Sequence, residues 1–476
     1  RGVAYQGLGK HERAIEDYDT AIELSPRDPT VFCNRGSAYH GLKQYKRAMK
    51  DYDKAIELNP QIAVAYLKRG DAYVGLREEQ RAIKNYDMAI ELDPEDPWAY
   101  AMRGLVYLGQ SQSERAIKDF DRVIELRPQD ALAYYHRGNA YRDLKQYGRA
   151  IKNHDRAIEL SPQDGRIYGE RGYAYGKLKQ YERAIDDLDR AIEISPENLA
   201  AHINRGNDYH ALGEHERAIE DFARAIQLNP ETMAAYFNRG NAYQALGEHK
   251  RAIEDYDRAI ELDPEYAGVY NQRGIAYLDL KRSERAIEDY DRAVELDPKY
   301  MIAYNNRGNA YHRLNQYKRA IKDYDRAIEL GPGNGLVYRH RGFAYCLLNQ
   351  YERGIGDLDR SIEFDPEDAT AYSHRGFAYV TLRKYELAIE DYDKAIGLDS
   401  EQALDYYNRG RAHRLLRQYE LAIEDFGKAI ELDPKNASRP RSEMSLCPKN
   451  LRMRKASIIQ RRSKAGQLST EIFRNK

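Results

Sequence analysis

The chain has 476 residues, of which 32% are charged and 42% hydrophobic, with a formal net charge of -1 and a mean hydropathy of -0.84. These values describe a soluble protein with a large exposed surface, and no apolar run approaches the roughly 20 residues that a membrane-spanning helix needs. The three cysteines, Cys33, Cys346 and Cys447, are too far apart to indicate a disulfide framework or a metal site. They fit a reducing compartment, and we expect a cytoplasmic protein.

An Arg-Gly dipeptide recurs every 34 residues, from Arg1-Gly2 and Arg35-Gly36 to Arg409-Gly410, and this defines thirteen repeats. A segment of this length cannot bury its own apolar face, so the period predicts an open stack in which each repeat packs on its neighbours. Positions within a repeat are numbered so that this glycine is position eight, and the first repeat lacks its first six positions. The period predicts one repeat domain over residues 1–435 and a separate tail over residues 436–476.

The eighth repeat, residues 233–266, shows the internal pattern. Small and aromatic residues recur at spacings of three and four, which predicts two helices. The first set is Ala235, Tyr236, Arg239, Gly240 and Tyr243, and the second set, after a turn at Gly247, is Ala252, Tyr256, Ala259 and Ile260. Pro264 marks the end of the second helix. The small residues Gly240 and Ala252 would let the two helices approach closely.

This pattern resembles the tetratricopeptide repeat over residues 1 to 434. The shared features are Tyr at positions four and eleven, Gly at eight, Ala at twenty and twenty-seven and Pro at thirty-two. The resemblance implies an all-α, right-handed superhelical solenoid of antiparallel helix pairs with a concave groove that binds protein segments. One departure is Arg, rather than the usual Leu, at position seven of every repeat. Because Asp is frequent at positions twenty-three and twenty-five, as in Asp255 and Asp257, we predict an Arg-to-Asp ladder between the paired helices. Ligand binding by these arginines is the alternative.

Positions two, five, six, nine, twelve and thirteen lie on the opposite side of the first helix, and we call this side the groove face. The repeats differ most there, which is typical of a binding surface, although neutral variation of solvated residues would look similar. Repeats seven to ten place a row of amides on this face, namely Asn204, Asn207, Asn238, Asn241, Gln272, Asn306 and Asn309. Side-chain amides both donate and accept, so such a row could hold the backbone of an extended peptide. The alternative is that these are ordinary solvated residues.

Two other parts of the groove face are candidate patches. Trp98, Met102 and Leu105 form an apolar strip in repeat four, which is either a docking surface or packing covered by the next repeat. Repeats five, eleven and twelve add Tyr135, Arg339, Phe343 and Phe377. The stretch from repeats eleven and twelve, which also includes His340 and His374, could accept acidic or aromatic ligand residues.

No catalytic motif, cofactor motif or metal-ligand spacing is present in the sequence. We therefore expect no enzymatic activity, no cofactor, no metal site and no small-molecule substrate. Nucleic acid is an unlikely partner for the repeats because their net charge is negative. The favoured function is a non-catalytic scaffold that binds peptide segments or partner proteins in the groove. The alternatives are a regulatory or targeting arm of a larger enzyme whose catalytic domain lies outside this chain and, third, an RNA-binding helical repeat.

The tail differs in composition from the repeats. Residues 436–476 contain eleven Lys or Arg residues against Glu443 and Glu471, a net charge of +9. Pro440 and Pro448 should resist helix formation, whereas residues 451–468 could form an amphipathic helix that caps the last repeat. A disordered basic arm that contacts acidic partners and a misread end of the gene are the alternatives.

Overall fold

The computed structural model describes residues 1–448, and within that range it contains α-helices and no strand. The chain divides into two compact units, Arg1–Ala242 and Tyr243–Lys476, which we call the N-terminal and C-terminal units. Helices of the N-terminal unit are α1 (Gly2–Gly7), α2 (His11–Leu24), α3 (Pro29–Gly41), α4 (Tyr45–Leu58), α5 (Ala63–Gly75), α6 (Glu79–Leu92), α7 (Pro97–Gly109), α8 (Ser113–Leu126), α9 (Ala131–Asp143), α10 (Tyr147–Leu160), α11 (Gly165–Lys177), α12 (Tyr181–Ile194), α13 (Leu199–Ala211) and α14 (His215–Leu228). The boundary between the units falls within α15 (Met233–Ala245).

Helices of the C-terminal unit are α16 (His249–Leu262), α17 (Ala267–Asp279), α18 (Ser283–Leu296), α19 (Met301–Arg313), α20 (Tyr317–Leu330), α21 (Gly335–Leu347), α22 (Tyr351–Phe364), α23 (Ala369–Thr381), α24 (Tyr385–Leu398), α25 (Ala403–Leu415), α26 (Tyr419–Leu432) and α27 (Ser438–Ser445). A single 3₁₀ turn, Pro434–Asn436, separates the last two. The prediction of an all-α solenoid of paired helices is confirmed. The assignment of residues 1–435 to one domain stays a prediction.

Each complete repeat in the structure is a first helix of 13 residues, a tight turn and a second helix of 14 residues, as in α3 and α4. The first helix often begins at an acidic N-cap, as where the Asp28 carboxylate accepts a hydrogen bond from the amide of Thr30 at 2.9 Å. The turn requires a left-handed residue at position fifteen, which is Gly247 with φ of 74° in repeat eight and Lys145 with φ of 58° in repeat five. The repeat therefore tolerates side chains at the turn even though glycine suits it best.

The invariant glycine at position eight is explained by packing against the second helix. A Cβ atom on Gly36 would lie 2.7 Å from the ring of Tyr52, which is fully buried between the two helices. Ala48 and Ala55, at positions twenty and twenty-seven, are also fully buried. The predicted close approach of the two helices through small residues is confirmed.

Within each unit, helices pack in chain order. A first helix contacts its own second helix and the second helix of the preceding repeat, and consecutive first helices such as α3 and α5 or α11 and α13 also contact each other. The side chains on the groove face of neighbouring repeats are thereby brought next to each other.

The last helix corrects one prediction about the tail. Pro440 was expected to resist helix formation, but it lies in the first turn of α27, where no intrahelical hydrogen bond from its nitrogen is needed. Met444 and the buried Cys447 pack against Ile423 and Phe426 of α26, so this segment covers the end of the repeats. The predicted capping helix over residues 451–468 lies outside the described residues.

Candidate functional site

The arginines at position seven contact the acidic residues at positions twenty-three and twenty-five, as predicted, but the position-twenty-five partner belongs to the preceding repeat and not to the same helix pair. The guanidinium of Arg35 donates from Nε and Nη2 to the two carboxylate oxygens of Asp51, at 2.8 and 2.6 Å, and from Nη1 to Asp19 at 2.6 Å. Asp51 belongs to the same repeat and Asp19 to the preceding one. The same two-sided contact, with Asn85 and Asn153 replacing the first Asp in two repeats, is made by Arg69, Arg103, Arg137, Arg171, Arg205, Arg273, Arg307, Arg341, Arg375 and Arg409.

The Arg-to-Asp ladder is structural. Hydrogen bonds to Asp51 raise the pKa of Arg35. Burial raises the carboxyl pKa of Asp119 and Asp187 despite their arginine partners, whereas Asp221, which also pairs with His202, has a lowered pKa. The buried carboxylate of Asp51 binds Arg35 through both of its oxygens within one repeat, and the more exposed Asp19 adds a single contact from the preceding repeat. The arginines therefore join the two helices of a repeat and also link that repeat to its neighbour. The ligand-binding alternative is not favoured for them.

The predicted amide row is partly engaged in hydrogen bonds between repeats. In the N-terminal unit, Asn238 Nδ2 donates to Asn207 Oδ1 at 2.9 Å, whereas no hydrogen bond among the described residues involves the half-buried side chain of Asn204. In the C-terminal unit, Asn306 Nδ2 donates to Asn271 Oδ1 at 3.0 Å, although Gln272 was the predicted neighbour in the row. Asn241 and Gln272 are half-buried.

Some position-nine side chains also accept hydrogen bonds from buried tyrosine hydroxyl groups, which the sequence analysis did not predict. Asn309 accepts a hydrogen bond from the hydroxyl of the buried Tyr324 at 2.8 Å, and Asp71 does the same for Tyr86 at 3.0 Å. Where position nine is apolar, as at Ile275, the hydroxyl of Tyr290 is a buried polar atom with no partner among the described residues. Asn309 therefore stabilises the core as well as facing the groove.

The apolar strip is only partly covered by neighbouring repeats. Trp98 is 51% exposed and Leu105 37% exposed, with the guanidinium of Arg127 5.3 Å from the Trp98 ring. Met102 is half-buried and packs against the core cluster of its repeat. The sequence analysis missed Val64 and Leu132, which occupy the position of Trp98 in the preceding and following repeats and are 47% and 49% exposed. The repeat numbering could have identified them, because all three are apolar at position two.

Tyr135 and Asn204, predicted in separate patches, line one depression of about 490 Å³ in the N-terminal unit. Tyr173 and the backbone of Gly169 also line it. The sequence could have indicated this site, because Gly169 stands at position five, where the adjacent repeats have the large side chains of Tyr135 and Ile203.

The stretch from repeats eleven and twelve is aromatic rather than basic. Arg339 is paired with Asp368 at 2.7 Å, and the Phe343 ring stacks on His374 at 3.8 Å. Burial lowers the pKa of His374 to about 3 and, together with the nearby Arg339, lowers the pKa of His340 to about 4. These imidazoles are therefore neutral at pH 7. Phe377 packs edge-on against Phe343 at 6.4 Å, so this stretch contains a cluster of uncharged aromatic rings.

Asp208 is a buried acid in a position that is Ala or Val in the other complete repeats. It is 7% exposed, and a Cβ atom on Gly176 would lie 2.7 Å from its Oδ1, so the carboxyl group rests against the bare backbone of α11. Burial raises its pKa to about 7, although the positive charge of Lys177 opposes this shift. No hydrogen bond to this carboxyl group occurs among the described residues.

Other kinds of site were sought in the same part of the chain. Residues 1–448 contain no cluster of His, Cys, Asp and Glu side chains arranged to hold a metal ion. None of the helices in that range combines the length and apolar character required to cross a bilayer. Cys33, Cys346 and Cys447 are buried free thiols.

Comparisons with known structures find partial likenesses. The crystal structure of the APC/C hetero-tetramer Cut9-Hcn1 aligns over 93% of this chain and 94% of that chain, with 14% identity and a TM-score of 0.46. YrrB, described as a TPR protein with an unusual peptide-binding site, aligns over 39% of this chain and 95% of that chain, with 24% identity and a TM-score of 0.34. A tetratricopeptide repeat protein from Parabacteroides merdae ATCC 43184 aligns over 52% and 99%, with 20% identity and a TM-score of 0.44. These low scores carry no argument about binding.

Sequence comparisons identify the family. No curated protein matches the chain. Family models described as "Tetratricopeptide repeat" match residues 29–62, 101–165, 165–198, 234–266, 271–335, 369–402 and 403–436, and one described as "TPR repeat" matches residues 2–43, 80–111 and 206–247. Together these matches cover well over half of the sequence and lie within the helical repeats of the structure. The chain therefore belongs to the tetratricopeptide repeat family.

Proposed function

We propose that this chain is a non-catalytic scaffold that holds extended segments of partner proteins against its groove face. Tetratricopeptide repeat proteins are in general protein-interaction scaffolds. The observation that carries the proposal is the row of three half-exposed apolar side chains, Val64, Trp98 and Leu132, on consecutive repeats of the N-terminal unit. Soluble proteins seldom leave such a row open to water unless a partner covers it.

The contrast between the position-seven arginines and the side chains of the groove face supports this proposal. Most position-seven arginines donate to carboxylates of their own repeat and of the preceding one, as Arg35 does to Asp51 and Asp19, so these guanidinium groups are already paired within the stack. On the groove face, Asn204 has no hydrogen bond among the described residues, and Trp98 combines a large apolar ring with a cation on it. Rigid aromatic groups of this kind often supply a large share of binding energy.

The paired amides can still bind a peptide. The hydrogen bond between Asn238 and Asn207 uses one donor and one acceptor of the two side chains. Each amide can donate twice and accept twice, so Asn238 Oδ1 and Asn207 Nδ2 stay available to a peptide backbone. We infer that pairing fixes the orientation of these amides and lowers the entropy lost on binding.

Affinity capture from a lysate of the source cell tests the proposal. The full chain would be compared with a variant carrying Trp98→Ala and Leu105→Ala, and with one carrying Asn204→Ala and Asn238→Ala. Met88→Ala is the matched control, because Met88 is an apolar side chain of similar exposure, 37%, on a second helix of the same stack. We expect partners to be lost from the two groove variants and kept by the control. Identical partners for every folded variant would place binding elsewhere and contradict the proposal.

A further inference from the structure

The depression in repeats five to seven has the form of a subsite for one side chain. Its volume is about 490 Å³, and it lies between α9, α11 and α13 on the groove face of the N-terminal unit. The rings of Tyr135 and Tyr173 contribute to its wall, Gly169 opens its floor and Asn204 lies at its edge.

Gly169 creates the available space. A Cβ atom at this position would meet nothing closer than Asn198 Nδ2 at 3.7 Å and Ala191 Cβ at 4.0 Å. Packing therefore does not require a glycine here, in contrast to the glycines at position eight. Asn198 is itself fixed, because its Oδ1 accepts a hydrogen bond from the amide of Ala201 at 3.1 Å. Its Nδ2 group faces Gly169 and adds a donor to the floor.

The charged side chains of the depression already have partners. Arg142 forms ion pairs with Glu170 and with Asp143, and Arg166 forms one with Asp164 at 2.6 Å. A charged side chain entering this space would therefore lose hydration without gaining an unpaired opposite charge.

A cationic side chain already lies over each of the two tyrosine rings in the wall. The guanidinium of Arg166 lies 5.7 Å from the centre of the Tyr135 ring, and Lys177 Nζ lies 5.0 Å from that of Tyr173. A Lys or Arg side chain from a ligand would compete with these contacts.

The wall behind Tyr135 is aromatic and uncharged. The Tyr135 ring lies 5.0 Å from that of His136 and 6.1 Å from that of His154, and His136 stacks on Phe120 at 5.6 Å. Burial and the charge of Arg142 lower the pKa of His154 to about 3, and burial likewise lowers the pKa of His136. Both imidazoles are therefore neutral at pH 7, and a further ring would extend an existing aromatic cluster.

We propose that this depression accepts one aromatic side chain of a bound protein segment, while the free amide of Asn204 pairs with the segment's backbone beside it. The inference rests on the proposed scaffold function and names the kind of anchor that the groove prefers. Phe, Tyr and Trp meet the requirement for a planar, uncharged group that packs against Tyr135 and Tyr173. Acidic and basic anchors do not.

Peptide selection tests the anchor directly. A phage library of random dodecapeptides would be selected on the full chain, and the affinity of an enriched peptide measured by fluorescence polarisation. Gly169→Leu fills the depression without altering Asn204. Gly148→Leu is the matched control, because that exposed glycine lies in helix α10, outside the depression, and has nothing within 4 Å of an added Cβ atom. Tyr173→Ala removes part of the wall and serves as the second variant if Gly169→Leu disturbs the helical circular dichroism.

We expect the enriched peptides to share one aromatic position. Replacing that residue by Ala, or introducing Gly169→Leu or Tyr173→Ala, should weaken binding by about tenfold or more, whereas Gly148→Leu should leave it unchanged. Peptides anchored by a charged residue, or aromatic peptides that bind both depression variants as well as the wild type, would overturn the subsite and leave the scaffold function standing. The absence of any enriched peptide would overturn the scaffold function and the subsite together.

Discussion

The buried carboxyl group of Asp208 should make the stability of the N-terminal unit depend on pH. Its pKa is raised to about 7 in the folded chain, whereas an unfolded Asp titrates near 3.9. Because the folded state holds the proton more tightly, the stabilisation is fully present below pH ~4 and is lost as pH rises through ~7. The group is only 7% exposed, so solvent screening does not reduce this effect much.

The size of the effect follows from the two pKa values. Their separation of about three units corresponds to about 4 kcal/mol over the whole range, of which about 2.5 kcal/mol falls between pH 5 and pH 8. Other groups titrate in the same window, so the useful quantity is a difference between variants. Asp208→Ala restores the residue that repeat six has at this position, Ala174, and removes the titrating group.

Urea unfolding followed by circular dichroism would measure this difference. Between pH 5 and pH 8, the free energy of unfolding of the wild type should fall by about 2.5 kcal/mol relative to that of Asp208→Ala. The higher pH therefore favours the variant. Asp208→Asn keeps the shape and cannot ionise, so the free energy of unfolding of this variant should change with pH in parallel with that of Asp208→Ala. Parallel profiles for wild type and both variants would refute the idea that this carboxyl group is buried without a partner.

Two further predictions concern contacts within the C-terminal unit. Asn309→Leu should lower the free energy of unfolding by about 1–3 kcal/mol, because it leaves the hydroxyl group of Tyr324 without a partner. Adding Tyr324→Phe should recover most of that loss in urea unfolding. Losses that simply add in the double variant would contradict the contact. Gly356→Ala should raise the thermal midpoint, with a gain of up to about 1 kcal/mol, because nothing lies within 4 Å of its added Cβ atom in the middle of α22. Gly354→Ala should lower the midpoint, because its Cβ atom would clash with Cys346 Sγ; equal shifts for the two would contradict this explanation.

Much of the fold could be predicted because the same pattern of small, aromatic and charged residues recurs in thirteen repeats. The closeness of Gly36 to Tyr52 follows from position alone, and the pairing of Arg35 with Asp51 follows from the need of a buried cation for a partner. Position twenty-five was also a predicted partner, but the sequence could not show that the residue concerned, Asp19, belongs to the preceding repeat. The choice of repeat depends on how far one repeat is displaced from the next, and helical periodicity within one repeat contains no information about that displacement.

The candidate site was predicted less completely because it depends on exposure and on pairs of side chains. Sequence placed Trp98 on the groove face but could not decide whether the next repeat covers it. It also treated Asn207 and Asn309 as equivalent, although Asn309 serves the buried hydroxyl of Tyr324 and Asn207 lies in a repeat with Phe222 at that position. A comparison of positions nine and twenty-four across repeats would have separated the two roles.

The two-sided contact made by position-seven arginines such as Arg341 has a consequence for how the chain can change in length. Removal of residues 301–334 would bring Arg341 up to Asp291, which occupies the same place in repeat nine that Asp325 occupies in repeat ten. The ion pairs across the new junction would be the same as those across the old one. A deletion that is not a multiple of the repeat length would instead place the arginine opposite a side chain of another kind. Whole repeats are thus the natural unit of gain and loss for this stack, and the groove can lengthen or shorten while its framework stays intact.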